Sequence, residues 1–144
     1  MLRIVAVGRL KDARWAGLAD DYLRRIRPWA PVEVVEVRDS DPTREGRDLL
    51  AAARRRGGTA PLIALDERGE QLATRELAAL LARHGSLTFV VGGPDGLSDT
   101  VRDAADRLFS LSRLTLPHEM ARVLLLEQIY RGLSLHRGSR YHRD

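Results

Sequence analysis

The feature that most constrains this chain is a regular alternation of short apolar runs with stretches of helical periodicity. Leu2–Gly8 is an apolar run closed by glycine and is expected to be a buried strand. Ala13–Arg27 carries Trp15, Leu18, Ala19, Tyr22, Leu23 and Ile26 at helical spacing, and Pro28 stops it. Val32–Val37 is rich in β-branched residues, the mark of a second strand. Asp41-Pro42 combines an N-cap with proline at the first helical position and opens a helix that ends near Gly57-Gly58. A third strand is expected at Leu62–Asp66, then a helix capped by Thr74 and running through Arg83, then a fourth strand at Leu87–Val91. Ser98 followed by Asp99 starts another helix, with acid where the helix dipole favours it. Leu108–Leu111 is the expected fifth strand. A long last helix begins near His118 and runs to about Leu135, leaving His136–Asp144 as a short polar tail. Such alternation argues for an α/β fold, a mainly parallel sheet with helices on both faces. No linker or repeat interrupts it, so residues 1–144 are expected to form a single domain.

Composition narrows the chemistry. The absence of cysteine excludes disulfides, thiolate metal sites and cysteine nucleophiles. No ligand spacing recurs among the histidines and carboxylates, so no metal is expected. The opening apolar run is too short for a signal peptide, and no stretch approaches ~18 apolar residues. The expected setting is therefore cytoplasmic, with no membrane. The net charge is +4, and Lys11 is the only lysine. Arginine's planar fork grips phosphate and stacks on bases, so RNA is an admissible partner. The triplet Arg54-Arg55-Arg56 suits a helix C-terminus and needs no ligand.

Four stretches carry candidate chemistry. Gly92-Gly93-Pro94-Asp95-Gly96 follows a strand and precedes a helix, at the carboxyl end where open α/β sheets bind ligands. Glycine there lets a ligand approach the backbone closely. The stretch lacks the spacing of a dinucleotide fingerprint and of a phosphate-binding P-loop, and a tight turn explains it equally well. Ser110–His118 alternates hydroxyls with leucines before a proline, which suits either a half-buried strand entering a helix or a loop that binds a small molecule. Glu127 and Arg131 stand four apart, acid first, in a largely apolar stretch, the arrangement of a partly buried ion pair. The tail from His136 to Asp144 gathers imidazole, phenol and guanidinium groups. It suits a solvated basic terminus or an RNA-contacting segment.

Taken together, these stretches resemble the bacterial ribosomal RNA large subunit methyltransferase H family, small members of the SPOUT class. The likeness runs from Ile4-Val5-Ala6-Val7-Gly8 to the last residues. It is strongest at Gly92–Ser98, Leu114-Thr115-Leu116-Pro117-His118, Arg122-Val123-Leu124, Glu127–Arg131 and Tyr141-His142-Arg143. The resemblance implies a C-terminal trefoil (α/β) knot and S-adenosylmethionine as cofactor. It places cofactor contacts at Leu65, Gly93, Ser112, Arg113, Leu114, Thr115, Leu116 and Pro117. It further implies methylation of N3 of a pseudouridine in large-subunit (23S) ribosomal RNA, within the assembled ribosome. The enzyme would be a homodimer in which one protomer's tail completes the other's site. One departure stands out: the family usually has proline before Tyr-His-Arg/Lys, and Arg140 takes that place here. Loss of the fixed φ is expected to loosen the approach of Tyr141.

Methyl transfer from a sulfonium requires alignment of the acceptor nitrogen and removal of its proton. The polar groups available for this are His118, Arg131, Tyr141, His142 and Arg143. Tyr141 and His142 would position the base, and Arg131 and Arg143 would supply positive charge to the developing anion. The competing readings are a ribosome- or RNA-binding protein without catalysis and a SPOUT methyltransferase acting on another RNA nucleoside. Cofactor binding separates the first, and identification of the methylated nucleoside separates the second.

Overall fold

The computed structural model describes residues 1–144, apart from the side chain of Arg56. Over the described residues, strands and helices alternate as β1 (Leu2–Val7), α1 (Ala13–Ile26), β2 (Val32–Val37), α2 (Pro42–Ala53), β3 (Leu62–Gln71), α3 (Thr74–Arg83), β4 (Leu87–Val91), α4 (Asp99–Ala104), β5 (Arg107–Ser110) and α5 (His118–His136). A 3₁₀ turn, Arg55–Gly57, follows α2. The strands form one sheet in the order β2-β1-β4-β3-β5, and every neighbouring pair is parallel.

Successive side chains of a strand point to opposite faces, and both faces here are apolar. Leu2, Ile4, Ala6, Ile63, Leu87, Phe89 and Val91 meet α1, α3 and α5 on one side. Val5, Val7, Leu62, Ala64 and Val90 meet α2 and α4 on the other. The chain therefore moves toward the β2 edge over the α1/α3 face and toward the β5 edge over the α2/α4 face. All four crossovers thus share one hand, as connections between parallel strands do. No helix among the described residues is long and apolar enough to cross a membrane.

β2 and β4 occupy the expected residues, and four differences from the sequence-based expectation have local causes. β3 runs on to Gln71 because it carries a bulge: Leu65 and Glu70 both pair with Phe109, and Asp66–Gly69 loop out between them. β5 is Arg107–Ser110, one residue earlier than expected. The N-cap of α3 is Ala73, not Thr74; the Glu76 carboxylate accepts from the Ala73 amide at 2.8 Å. Thr74 instead donates its hydroxyl to Gln128 Oε1 on α5, at 2.9 Å. α2 stops at Ala53, and the 3₁₀ turn carries the chain on to Gly57 and Gly58.

α5 lies against both α1 and α3, which buries Val123, Leu125, Leu126 and Ile129. A Cβ at Gly132 would stand 2.8 Å from Leu81 Cδ1 and 3.3 Å from Ala78 Cα, so α5 packs on α3 there through a glycine. Arg122 is the charged residue of this interface, with 4% of its surface exposed. It ion-pairs with Glu36 and donates to Val7 O at 3.2 Å and Gly8 O at 2.6 Å. A buried guanidinium requires such partners, and these fasten the first turns of α5 to the carboxyl ends of β1 and β2.

The bulge depends on Gly69. A Cβ there would lie 2.5 Å from the carbonyl carbon of Leu108, inside the backbone of β5. Gly69→Ala should lower stability by about 1–3 kcal/mol, the usual cost of overpacking. The measurement is urea unfolding, where a lower midpoint at an unchanged slope is expected, and an unchanged midpoint would show that β5 gives way freely.

Candidate active site

A cleft of roughly 540 Å³ opens at the carboxyl ends of β3, β4 and β5. After β3 the chain leaves over the α3 face, and after its neighbour β4 it leaves over the α4 face. Loops that part in this way open a crevice, the usual ligand position in an open α/β sheet. Gly92–Leu97 form one wall, Leu65–Glu67 a second, and Ser110–Ser112, Leu114–His118 and Ala121 a third.

The glycine wall is a tight turn. Gly96 N donates to Gly93 O at 3.0 Å, with Pro94 and Asp95 at the corner and Gly96 at φ +78°. Proline second and glycine fourth is the preferred chemistry of such a turn. From sequence, Gly93 is bare so that a ligand can approach. The structure gives a different reason: a Cβ at Gly93 would point at Val7 Cγ1, 3.1 Å away, and toward Glu45 Oε2 at 3.7 Å. Gly92 is equally confined, since its Cβ would meet the Gly96 carbonyl carbon and Leu97 Cδ2, both at 3.0 Å. Side chains at these positions would displace the wall itself.

The third wall is held by its hydroxyls. Ser110 Oγ donates to Ser112 O at 2.9 Å, and Ser112 Oγ accepts from Leu114 N at 2.9 Å. Among the described residues, Arg113–Leu116 make no backbone–backbone hydrogen bond, and apart from the Leu114 amide their peptide groups are left to a ligand. Seven of the eight expected cofactor residues line the cleft: Leu65, Gly93, Ser112, Leu114, Thr115, Leu116 and Pro117. Arg113 does not; it is exposed and donates from Nε to Gln71 Oε1 at 3.1 Å. Among the cleft residues not foreseen from sequence are the two partners of an ion pair. Asp66 is buried and ion-pairs with Arg102 of α4. Burial alone would raise the Asp66 pKa, but the Arg102 guanidinium and the Arg68 amide outweigh it and hold the carboxyl below its ordinary value. The signal for Asp66 is an acid closing an apolar strand; Arg102, on a short surface helix, offers none.

Of the five expected catalytic residues, only His118 borders this cleft. Arg131 lies thirteen residues along α5, about 20 Å away at 1.5 Å per residue, and the tail is gathered around it. Gly138, at φ +66°, and the bond from Ser139 N to Ser134 O at 3.1 Å end the helix and turn the chain back. Tyr141 then packs edge-on against Tyr130 at 4.7 Å between ring centres, and the Arg131 guanidinium lies over its ring at 4.6 Å. Glu127 organises the group. Its Oε1 accepts from Tyr141 OH at 3.1 Å and from Arg131 Nε at 2.7 Å. Arg131 Nη1 lies 3.3 Å from His142 Nδ1, and His142 Nε2 lies 2.9 Å from Asp144, which in turn pairs with Arg75 of α3. Arg143 is exposed. Burial, the Tyr22 hydroxyl and the Glu127 charge raise the Tyr141 pKa well above that of a free phenol. The tail is thus docked on α5, α1 and α3 despite Arg140; Ser139 Oγ accepts from Tyr141 N at 3.2 Å where proline would have fixed the approach. Tyr22 of α1, whose hydroxyl is 3.4 Å from that of Tyr141, is invisible in sequence because it sits at an ordinary core-facing helical position.

The chain is similar to known proteins. A family model described as predicted SPOUT methyltransferase matches residues 1–142. Ribosomal RNA large subunit methyltransferase H of Desulfovibrio desulfuricans is 45% identical, with 98% of this chain and 96% of that protein covered. Its counterpart in Rubrobacter xylanophilus is 44% identical, with 96% of each covered. Among solved structures, a probable methylase family protein from Haemophilus influenzae superposes with a TM-score of 0.60 at 15% identity, over 99% of this chain and 70% of that one. The SpoU methyltransferase AviRb of Streptomyces viridochromogenes does so at 0.51 and 17% identity, over 96% and 61%. These two likenesses concern the fold. The identities and the length of the matches establish that the chain belongs to the SPOUT methyltransferase family, in the group of ribosomal RNA large subunit methyltransferase H.

Proposed function

We propose that this chain transfers a methyl group from S-adenosylmethionine to N3 of a pseudouridine in large-subunit ribosomal RNA. It acts as a homodimer on the assembled ribosome in the cytoplasm, with the C-terminal part of the chain threaded as an α/β knot. The observation that carries the reading is the division of the site along α5. The cofactor cleft lies at the first turn of the helix and the polar tail cluster at the last. One chain cannot bring its own tail groups to its own cleft in this arrangement, whereas a second copy supplies them.

The cleft fits the cofactor in size, since small-molecule sites span about 300–1,000 Å³. Leu65 and Leu116 offer apolar contact, the Gly92–Gly96 turn a closely approachable backbone, and the Arg113, Thr115 and Leu116 amides with the Arg113–Leu116 carbonyls polar edges. S-adenosylmethionine brings a methyl group already activated on sulfur, so the protein's task is alignment and proton management. Tyr141, kept protonated by its surroundings and held by Glu127, positions the target base and is not its base catalyst. His142, held by Arg131 and Asp144, positions the ring beside it. Arg131 and Arg143 offset the negative charge that develops as N3 passes its proton to solvent water, and His118 faces the cofactor side of the same site.

The direct test incubates the protein with S-adenosylmethionine and ribosomes lacking the modification, followed by mass spectrometry of the nucleosides. N3-methylpseudouridine in the large-subunit RNA is the expected product; a different methylated nucleoside, or none, contradicts the reading. Gly93→Val should abolish S-adenosylmethionine binding in calorimetry with the fold intact, because the new side chain forces the glycine wall away from Val7 and into the cleft. Undiminished affinity in the folded variant would remove Gly93 from the site.

Deletion of Tyr141–Asp144 should leave cofactor binding in place and lower methyl transfer at least ~100-fold, the scale on which misplaced positioning groups act. Co-refolding of the Gly93→Val and tail-deleted chains should restore part of the activity, because one site of the heterodimer keeps an intact cleft and an intact tail. Heterodimers without recovered activity would place the tail's action within its own chain.

A further inference from the structure

We propose that the end of α1 and the segment beyond α5 together form a surface that grips the phosphate backbone of the RNA strand entering the site. The proposal rests on ribosomal RNA being the substrate. Arg24 and Arg27 come from one segment and Arg137, Arg140 and Arg143 from the other, and all five are exposed. The fold joins the segments: Arg137 Nη2 donates to Trp29 O at 2.7 Å across 108 positions of sequence. Trp29 stacks on Tyr130 at 4.9 Å between ring centres, and Tyr130 touches Tyr141 of the tail.

The surrounding carboxylates do not neutralise this corner. Asp21 spans Arg24, at 3.9 Å, and Arg25, at 3.0 Å. Asp144 is taken by Arg75 and His142, and Glu127 by Arg131 and Tyr141. Asp20, one turn earlier on α1, is exposed and, among the described residues, in no ion pair. Among the described residues, no carboxylate lies within ion-pair distance of Arg27, Arg137, Arg140 or Arg143. An ordinary solvated surface intersperses the two signs. Here like charges gather beside half-buried aromatic rings, in a chain whose net charge is only +4. Guanidinium groups hold phosphates and aromatic faces stack on unpaired bases, the combination that grips a single RNA strand. The surface also borders Tyr141 and His142, so a strand held on it would carry its target base to the tail. Arg140, where proline is usual in the family, adds one more phosphate-binding group.

The test compares Arg24→Gln/Arg27→Gln, Arg140→Gln and a control, Arg44→Gln/Arg47→Gln, whose exposed arginines lie on α2 across the sheet. Binding to large ribosomal subunits lacking the modification is measured between 50 and 200 mM salt, and methyl transfer is followed in parallel. Removing one phosphate-binding guanidinium should reduce the log–log salt slope by about 0.7, hence by about 1.4 for the double variant and 0.7 for Arg140→Gln. KM for the subunits should rise, with kcat, S-adenosylmethionine affinity and the control's slope unchanged. An unchanged slope in either variant, or an equal fall in the control, overturns the proposal. If the wild-type protein binds subunits and transfers no methyl group, the proposed reaction fails, and the salt slopes still decide this surface.

Discussion

The buried guanidinium of Arg122 fixes the relation between α5 and the sheet. A charge with so little access to water is tolerated only where acceptors surround it, and Glu36, Val7 O and Gly8 O provide them. Those acceptors lie at the carboxyl ends of two parallel strands, so the helix can dock in one register along the sheet. His118 is one turn before Arg122 and therefore falls at the cleft. Glu127 and Arg131 come more than one turn after it and fall beside α1. Glu119, in the first turn, accepts from the amides of Lys11 and Asp12 and ties the β1–α1 loop to the same helix. The candidate site is thus a product of how one helix is seated.

Around that seat the protein uses rigid and adaptable parts differently. The glycine turn at Gly92 and Gly93 and the bulge of β3 at Gly69 are sterically closed, with backbone or core atoms where a Cβ would go. The segment from Ser112 to Leu116 is the opposite: two serine hydroxyls brace it through the Ser112 carbonyl and the Leu114 amide, and the peptide groups of Arg113, Thr115 and Leu116 stay uncommitted. A cleft with firm walls on two sides and uncommitted peptides on the third accepts a flat, polar-edged molecule without rearranging the sheet. The polar cluster at the far end of α5 follows another logic, in which Glu127 serves two donors at once and a single carboxylate sets the position of a phenol and a guanidinium.

Much of this is legible in the sequence. Strand and helix alternation, the faces of the sheet and the glycine wall of the cleft follow from apolar runs, caps and glycine placement, which are local signals. What escapes is long-range. The bulge at Asp66–Gly69 is made of polar residues whose spacing says nothing about β5 pressing on them. Thr74 looks like a cap because its hydroxyl is of the right kind, yet Gln128, 54 positions away, captures it. Gly93 looks bare for the sake of a ligand, whereas its neighbour is Val7 on another strand. The docking of the tail depends on Tyr22 and Glu127, residues whose own neighbourhoods give no hint of a shared partner.

The straight run of α5 between His118 and Arg131 has a consequence of its own. A helix advances about 1.5 Å and turns about 100° per residue. One residue added within this run would swing everything beyond it round to another side of the helix, and the tail cluster would lose α1. Loops at the other end of the sheet can change length at little cost, but this interval cannot. The residue count of α5 is therefore a phase setting, and drift in the length of this protein is confined to places that leave that phase untouched.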